Sequence, residues 1–117
     1  MSTKELYCKI YVDTDQDRTW LLQQVAEQCL GVVAGRTVSA PELVVDISRN
    51  EDYDPVRAQS SEGFVHFPYY LDVEPVDGIE RTSYIDAVRN LLLGFSQSHI
   101  RAVAACDFEN ELPEARI

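Results

Sequence analysis

The sequence predicts an α+β domain of the ferredoxin-like kind: a β-α-β-β-α-β two-layer sandwich, with a four-stranded antiparallel sheet and two helices on one face. Three observations predict it. Four segments alternate apolar and polar residues with the period of a half-buried strand. Two others repeat apolar residues at helical spacing. Their order along the chain closes as two right-handed split βαβ units, which gives the spatial strand order 4, 1, 3, 2.

The first strand is read from Leu6, Cys8, Ile10 and Val12, which alternate with Tyr7, Lys9 and Tyr11. A helix start follows in Asp13-Thr14-Asp15-Gln16-Asp17, where Thr14 and Asp17 approximate a capping box. Negative charge there also suits the helix dipole. Leu21, Leu22, Val25, Cys29 and Leu30 form the apolar stripe of this helix, and Gly31 can stop it.

The second strand is expected from Thr37 to Ser48, with Pro41 arguing for an edge position. A polar loop runs from Arg49 to Gly63. The third strand is expected from Phe64 to Glu74, with Val65, Phe67, Tyr69, Leu71 and Val73 on one face. Pro68 interrupts it and predicts a bulge or a missing hydrogen bond. After a turn at Pro75-Val76-Asp77-Gly78, a helix spans Glu80 to Gln97 around Tyr84, Val88, Leu91, Leu92 and Phe95. A last strand, Arg101 to Phe108, precedes a tail expected to be loose from Glu109 onward.

At 117 residues the chain fits a single domain, 1–117, able to bury roughly two thirds of its unfolded surface. Hydrophobic content of 45% and charged content of 26% are those of a globular protein rather than a disordered one. Charge is the unusual quantity. Twenty acidic residues against ten basic ones give a formal net charge of -10. Such a field repels phosphate backbones and anionic lipid, which disfavours nucleic acid and membrane surfaces as partners and favours a basic protein. No apolar run is long enough to span a bilayer, and the first residues lack the apolar core of a signal peptide. Cys8, Cys29 and Cys106 match neither a disulfide framework nor a zinc pattern. Reduced thiols in a cytoplasmic protein are the expectation.

Catalytic and metal chemistry find little support in the spacing. Asp13-x-Asp15-x-Asp17 resembles the opening of an EF-hand loop, but Arg18 stands where glycine makes the sharp turn. Gln24 stands where a bidentate glutamate belongs. His66 and His99 share no ligand pattern, and Cys106-Asp107 has no neighbouring base. There is no nucleophile elbow, and the five glycines form no phosphate cradle. The expectation is therefore a protein without catalytic residues, metal or cofactor.

Asn50-Glu51-Asp52-Tyr53-Asp54-Pro55 is more informative. It is a dense acidic patch around one aromatic, in a loop of about fifteen residues, a length that compact domains usually keep for function. Glu51, Asp52, Tyr53 and Asp54 are candidate partner-binding residues, with tyrosine as anchor and carboxylates for Lys or Arg. In a two-layer fold the sheet face without helices is open, and Tyr7, Tyr11, Asp46, His66 and Tyr70 are expected on it. Tyr11, Asp46, His66 and Tyr70 join the candidate set.

In size, acidity and lack of catalytic groups the chain resembles the small immunity and antitoxin-type proteins of bacterial toxin systems. That resemblance implies an acidic face that docks on the cationic active site of a nuclease-type enzyme and excludes substrate. The alternative is a small-molecule-binding or regulatory module that dimerises through the open sheet face.

Overall fold

The computed structural model describes residues 6–60 and 63–113. It is an α+β fold with two helices and one antiparallel sheet. The sheet has six strands, not the expected four, so the four-stranded ferredoxin-like architecture is corrected. In chain order the elements are β1 (Cys8–Asp13), α1 (Arg18–Cys29), β2 (Val32–Ala34), β3 (Thr37–Ser39), β4 (Leu43–Arg49), β5 (Tyr69–Pro75), α2 (Arg81–Gln97) and β6 (Arg101–Cys106). The strands lie side by side as β2-β3-β4-β5-β1-β6.

The added strands arise where one continuous strand was expected between Thr37 and Ser48. Pro41 has no N–H to give to a ladder, and the chain turns at 40–42, with the Ala40 N–H donating to Leu43 O at 2.9 Å. What results is β3 paired with β4. Before β3, Gly35 takes φ 64 in the two-residue turn that pairs Ala34 with Thr37 and creates β2.

Alternation then separates two faces. Cys8, Ile10 and Val12, Leu43, Val45 and Ile47, and Leu71 and Val73 are fully buried, with Tyr69 nearly so. They pack with Leu21, Leu22 and Val25 of α1 and with Tyr84, Val88, Leu91 and Phe95 of α2 in one core. Asp17, not Thr14, caps α1: its carboxylate accepts the Trp20 N–H at 2.8 Å. At the other end Leu30 takes the left-handed conformation (φ 58). Gly31 follows because a Cβ there would come within 2.5 Å of Val38 Cγ1 on β3.

Two further expectations change. The segment 64–67 is not strand; Gly63–His66 is a short 3-10 helix, and β5 begins only after Pro68. The expected loose tail is held as far as Leu112. Leu112 and Phe108 are buried, Phe108 meets the Tyr84 ring edge-on at 5.9 Å, and Arg81 binds Glu111. The rest of that tail, 114–117, lies outside the described residues. Among the described residues no helix is long and apolar enough to cross a membrane.

Candidate functional site

The loop between β4 and β5 is built on one residue, Asn50. Its Nδ2 donates to Val65 O and Phe67 O, both at 2.8 Å, and its Oδ1 accepts the Asp52 N–H at 3.0 Å. Its backbone N–H reaches Pro68 O at 2.8 Å. Both ends of the loop are thereby tied across to each other. Asp54 adds a second bracket by accepting the Val56 and Arg57 N–H groups, opening the short 3-10 helix Arg57–Gln59. The Asp54 N–H donates to His66 O, and His66 Nδ1 lies 3.0 Å from Asp52 O.

Arg101 at the start of β6 fastens this loop to the sheet. It donates through Nε and Nη2 to Asp13 Oδ2 at 3.0 and 2.5 Å, and through Nη2 to Ala58 O at 3.2 Å. Its guanidinium sits 4.9 Å from the centre of the buried Phe67 ring. Tyr69 Oη donates to Gln16 O at 2.9 Å, which ties the Asp13–Asp17 turn to the same end of the sheet. Asp13 and Asp17 of the EF-hand-like triplet thus serve an ion pair and a helix cap.

The sheet face turned away from the helices carries a polar and aromatic grid. Tyr11 stands opposite Tyr70, and Lys9 opposite Asp72. Lys9 Nζ lies 4.2 Å from the Tyr70 ring centre and 5.2 Å from that of Tyr11. Tyr7 Oη donates to Asp72, and Thr37 Oγ1 donates to Asp46 at 2.5 Å. Phe64, from the loop, meets Tyr11 edge-on at 5.4 Å.

The candidate residues therefore fall into two groups that adjoin. Glu51, Asp52 and Tyr53 are exposed on the loop and Asp54 is half-buried beside them; Tyr11, Tyr70 and Asp46 are on the sheet face. His66 is corrected: it belongs to the loop, beside Asp52, because 63–66 is helical and not part of β5. Sequence reasoning missed Asn50 as organiser, Arg101 as clamp and Phe64 as bridge. It also missed Val56 and Val65, exposed at 76% and 40%, which with Tyr53 make three of the six large apolar side chains exposed among the described residues. All three project from this one loop, which concentrates adhesive surface there.

Burial sets the electrostatics of the three thiols. Burial raises the Cys8 thiol pKa far above its ordinary value, and the facing Cys106 adds to the effect. Cys106 and Cys29 are raised by burial as well, so none of the three is an activated thiolate. Burial and then the Asp72 contact push the Tyr7 phenol up. Asp54 moves the other way, held below the ordinary aspartate value first by the Arg57 N–H and also by that of Val56. A lowered folded pKa contributes stability above the unfolded value, and that contribution disappears as pH falls through the lowered one. The Val56 and Arg57 amide resonances should accordingly titrate with a midpoint below that of an unperturbed aspartate. A midpoint at or above it would contradict the cap.

What the fold and surface define is an acidic α+β protein with a braced loop lying against one end of an open sheet. No protein-family model, curated protein or solved structure matches the chain.

Proposed function

We propose that this chain is a non-catalytic binding protein that engages a basic protein partner through the 50–68 loop and the adjoining sheet face. The reading follows the manner of immunity and antitoxin-type inhibitors, with a nuclease-type active site as the surface covered. One observation carries it. Tyr53, Val56 and Val65 stand exposed among Glu51, Asp52 and Asp54 on a loop whose backbone is braced from within, on a chain of net charge -10. Apolar anchors inside a charged rim are the anatomy of an interface. Bracing before contact lowers the ordering cost of binding. The overall negative field speeds approach of a cationic surface and repels phosphate-bearing competitors. Three free thiols fit a reducing compartment, and we place the protein in the cytoplasm on that basis.

The test takes the basic product of the neighbouring gene and measures its binding kinetics from low to high salt. Association should slow steeply with salt, and Asp52→Asn with Glu51→Gln should flatten that dependence while changing dissociation little. Tyr53→Ala should weaken affinity by about 30-fold, the scale of an interface hot spot, through faster dissociation. Affinity unchanged by salt, or by Tyr53→Ala, would overturn the reading.

A further inference from the structure

All three cysteines are free thiols, and two of them face each other. In the β1–β6 ladder Cys8 stands directly opposite Cys106. Antiparallel partners hold their Cα atoms about 4.5 or 5.5 Å apart, according to the kind of pair. A disulfide spans Cα separations of roughly 4.4–6.8 Å, so either kind puts these two sulfurs within bonding reach without moving a strand. Residues directly opposite also share a sheet face. Here it is the helix side: Cys8 is fully buried in the core, and Cys106 packs against it.

The two thiols are not equivalent. Cys8 lies on an inner strand, between Val73 of β5 and Cys106 of β6, with no exposed surface. Cys106 is the last residue of β6, is partly exposed, and belongs to a strand with no neighbour on its outer side. Burial raises the Cys106 pKa, but the Cys8 thiol and the Phe108 N–H, as donors to its sulfur, partly offset that. Cys8 has no such compensation: burial, Cys106 and then Glu109 all push its thiol up. A thiolate is therefore easier to form and to reach at Cys106, and Cys8 is placed to react second.

We infer that Cys8 and Cys106 form a reversible modification site, closed to an intrachain disulfide by a small disulfide of the glutathione class. The Cys106 thiol gives its proton to solvent, and its thiolate attacks one sulfur of glutathione disulfide. A Cys106–glutathione bond forms, the reagent's S–S bond breaks, and one glutathione thiolate leaves with the electron pair. Cys8, deprotonated in turn, attacks the Cys106 sulfur and expels the second glutathione thiolate. The two expelled thiolates take up two protons. The protein has lost two electrons and two protons, and one glutathione disulfide has become two glutathione thiols. In a reducing compartment the pair stays open, and it closes when the small-disulfide pool rises. The bond links the first strand to the last and closes residues 8–106 into one loop, and long loops constrain the unfolded chain most.

Cys29 is a control built into the chain. Its Sγ donates to Val25 O at 3.0 Å at the end of α1, near Gly31 and β3. β4 and β5 separate β3 from β1, roughly 14 Å across the sheet. The inference uses the β1–β6 pair alone and is independent of the loop-based partner reading.

The test incubates the folded full chain with glutathione disulfide, without denaturant, then alkylates, digests and weighs it. The wild type should lose two hydrogens, with the Cys8 and Cys106 peptides linked and Cys29 outside the link. Dithiothreitol should restore all three thiols. The oxidised form should melt higher than the reduced one, by about 5 °C or more. Cys8→Ala should stop with one glutathione on Cys106, and Cys106→Ala should leave Cys8 unmodified. Absence of the link in the wild type overturns the inference, as does a link that includes Cys29. Glutathione on Cys8 in folded Cys106→Ala, or an oxidised form that melts no higher, overturns it too.

Discussion

Leu71→Ala is expected to destabilise the fold by about 2–5 kcal/mol, the range for emptying a fully buried leucine site. Leu71 has no exposed surface and stands in register with Ile10 of β1 and Ile47 of β4, at the middle of the sheet. Its neighbours are β-branched side chains on paired strands, which move little, so the cavity stays open and the cost falls toward the upper part of that range. For a domain of this size the melting temperature should drop on the order of 10 °C or more. Tyr70→Ala is the internal comparison. That residue is next in the chain but on the open face, half-buried against Lys9 and Tyr11, and its removal should cost roughly 1 kcal/mol. Urea denaturation of the pair checks the contrast. Equal losses for the two would mean that the sheet faces are assigned wrongly.

Asn50→Ala is expected to cost about 1–3 kcal/mol and to loosen the 50–68 loop specifically. The substitution removes two donors from Val65 O and Phe67 O and one acceptor from the Asp52 N–H. Water replaces part of this at the exposed side, which keeps the figure below that of a fully buried network. Asn50→Asp should be at least as damaging, because a carboxylate cannot donate to two carbonyl oxygens and is repelled by them. Limited proteolysis within 51–66 should accelerate in both variants while the helices and sheet persist by circular dichroism. Unchanged proteolysis would show that the brace is dispensable. Under the proposed binding function, affinity for the basic partner should fall too, although no exposed contact residue has changed, because an unbraced loop must be ordered on binding.

The period-two rows and the two apolar stripes made β1, β4, β5, β6 and both helices legible. What stayed hidden was governed by local backbone chemistry rather than by pattern. Val32–Ala34 and Thr37–Ser39 are too short to show a period, and the signal for them was the Gly35-Arg36 pair between β-branched residues. Pro41 and Pro68 suggest irregularities within strands, whereas the first falls in a turn and the second just ahead of β5. A position at the chain end suggests a loose tail from Glu109 onward. Its attachment depends on Phe108 and Leu112 reaching the core and on Arg81 and Arg89 of α2 holding Glu111. At the site, Glu51, Asp52 and Tyr53 announce their exposure through composition. The role of Asn50 does not show, because its partners lie 15 and 17 residues further along.

The order β2-β3-β4-β5-β1-β6 also sets the sequence of events during synthesis. Strands β2, β3 and β4 each adjoin the strand that follows, so the β2-to-β5 meander can zip as the chain emerges. β1 is made first yet pairs only with β5 and β6, between residues as far apart as Cys8 and Cys106. The nascent chain therefore carries a finished amphipathic strand with no place to go until most of the protein has left the ribosome. β1 can be enclosed only once both β5 and β6 exist, so a chain halted before β6 leaves one side of β1 unpaired and open to aggregation.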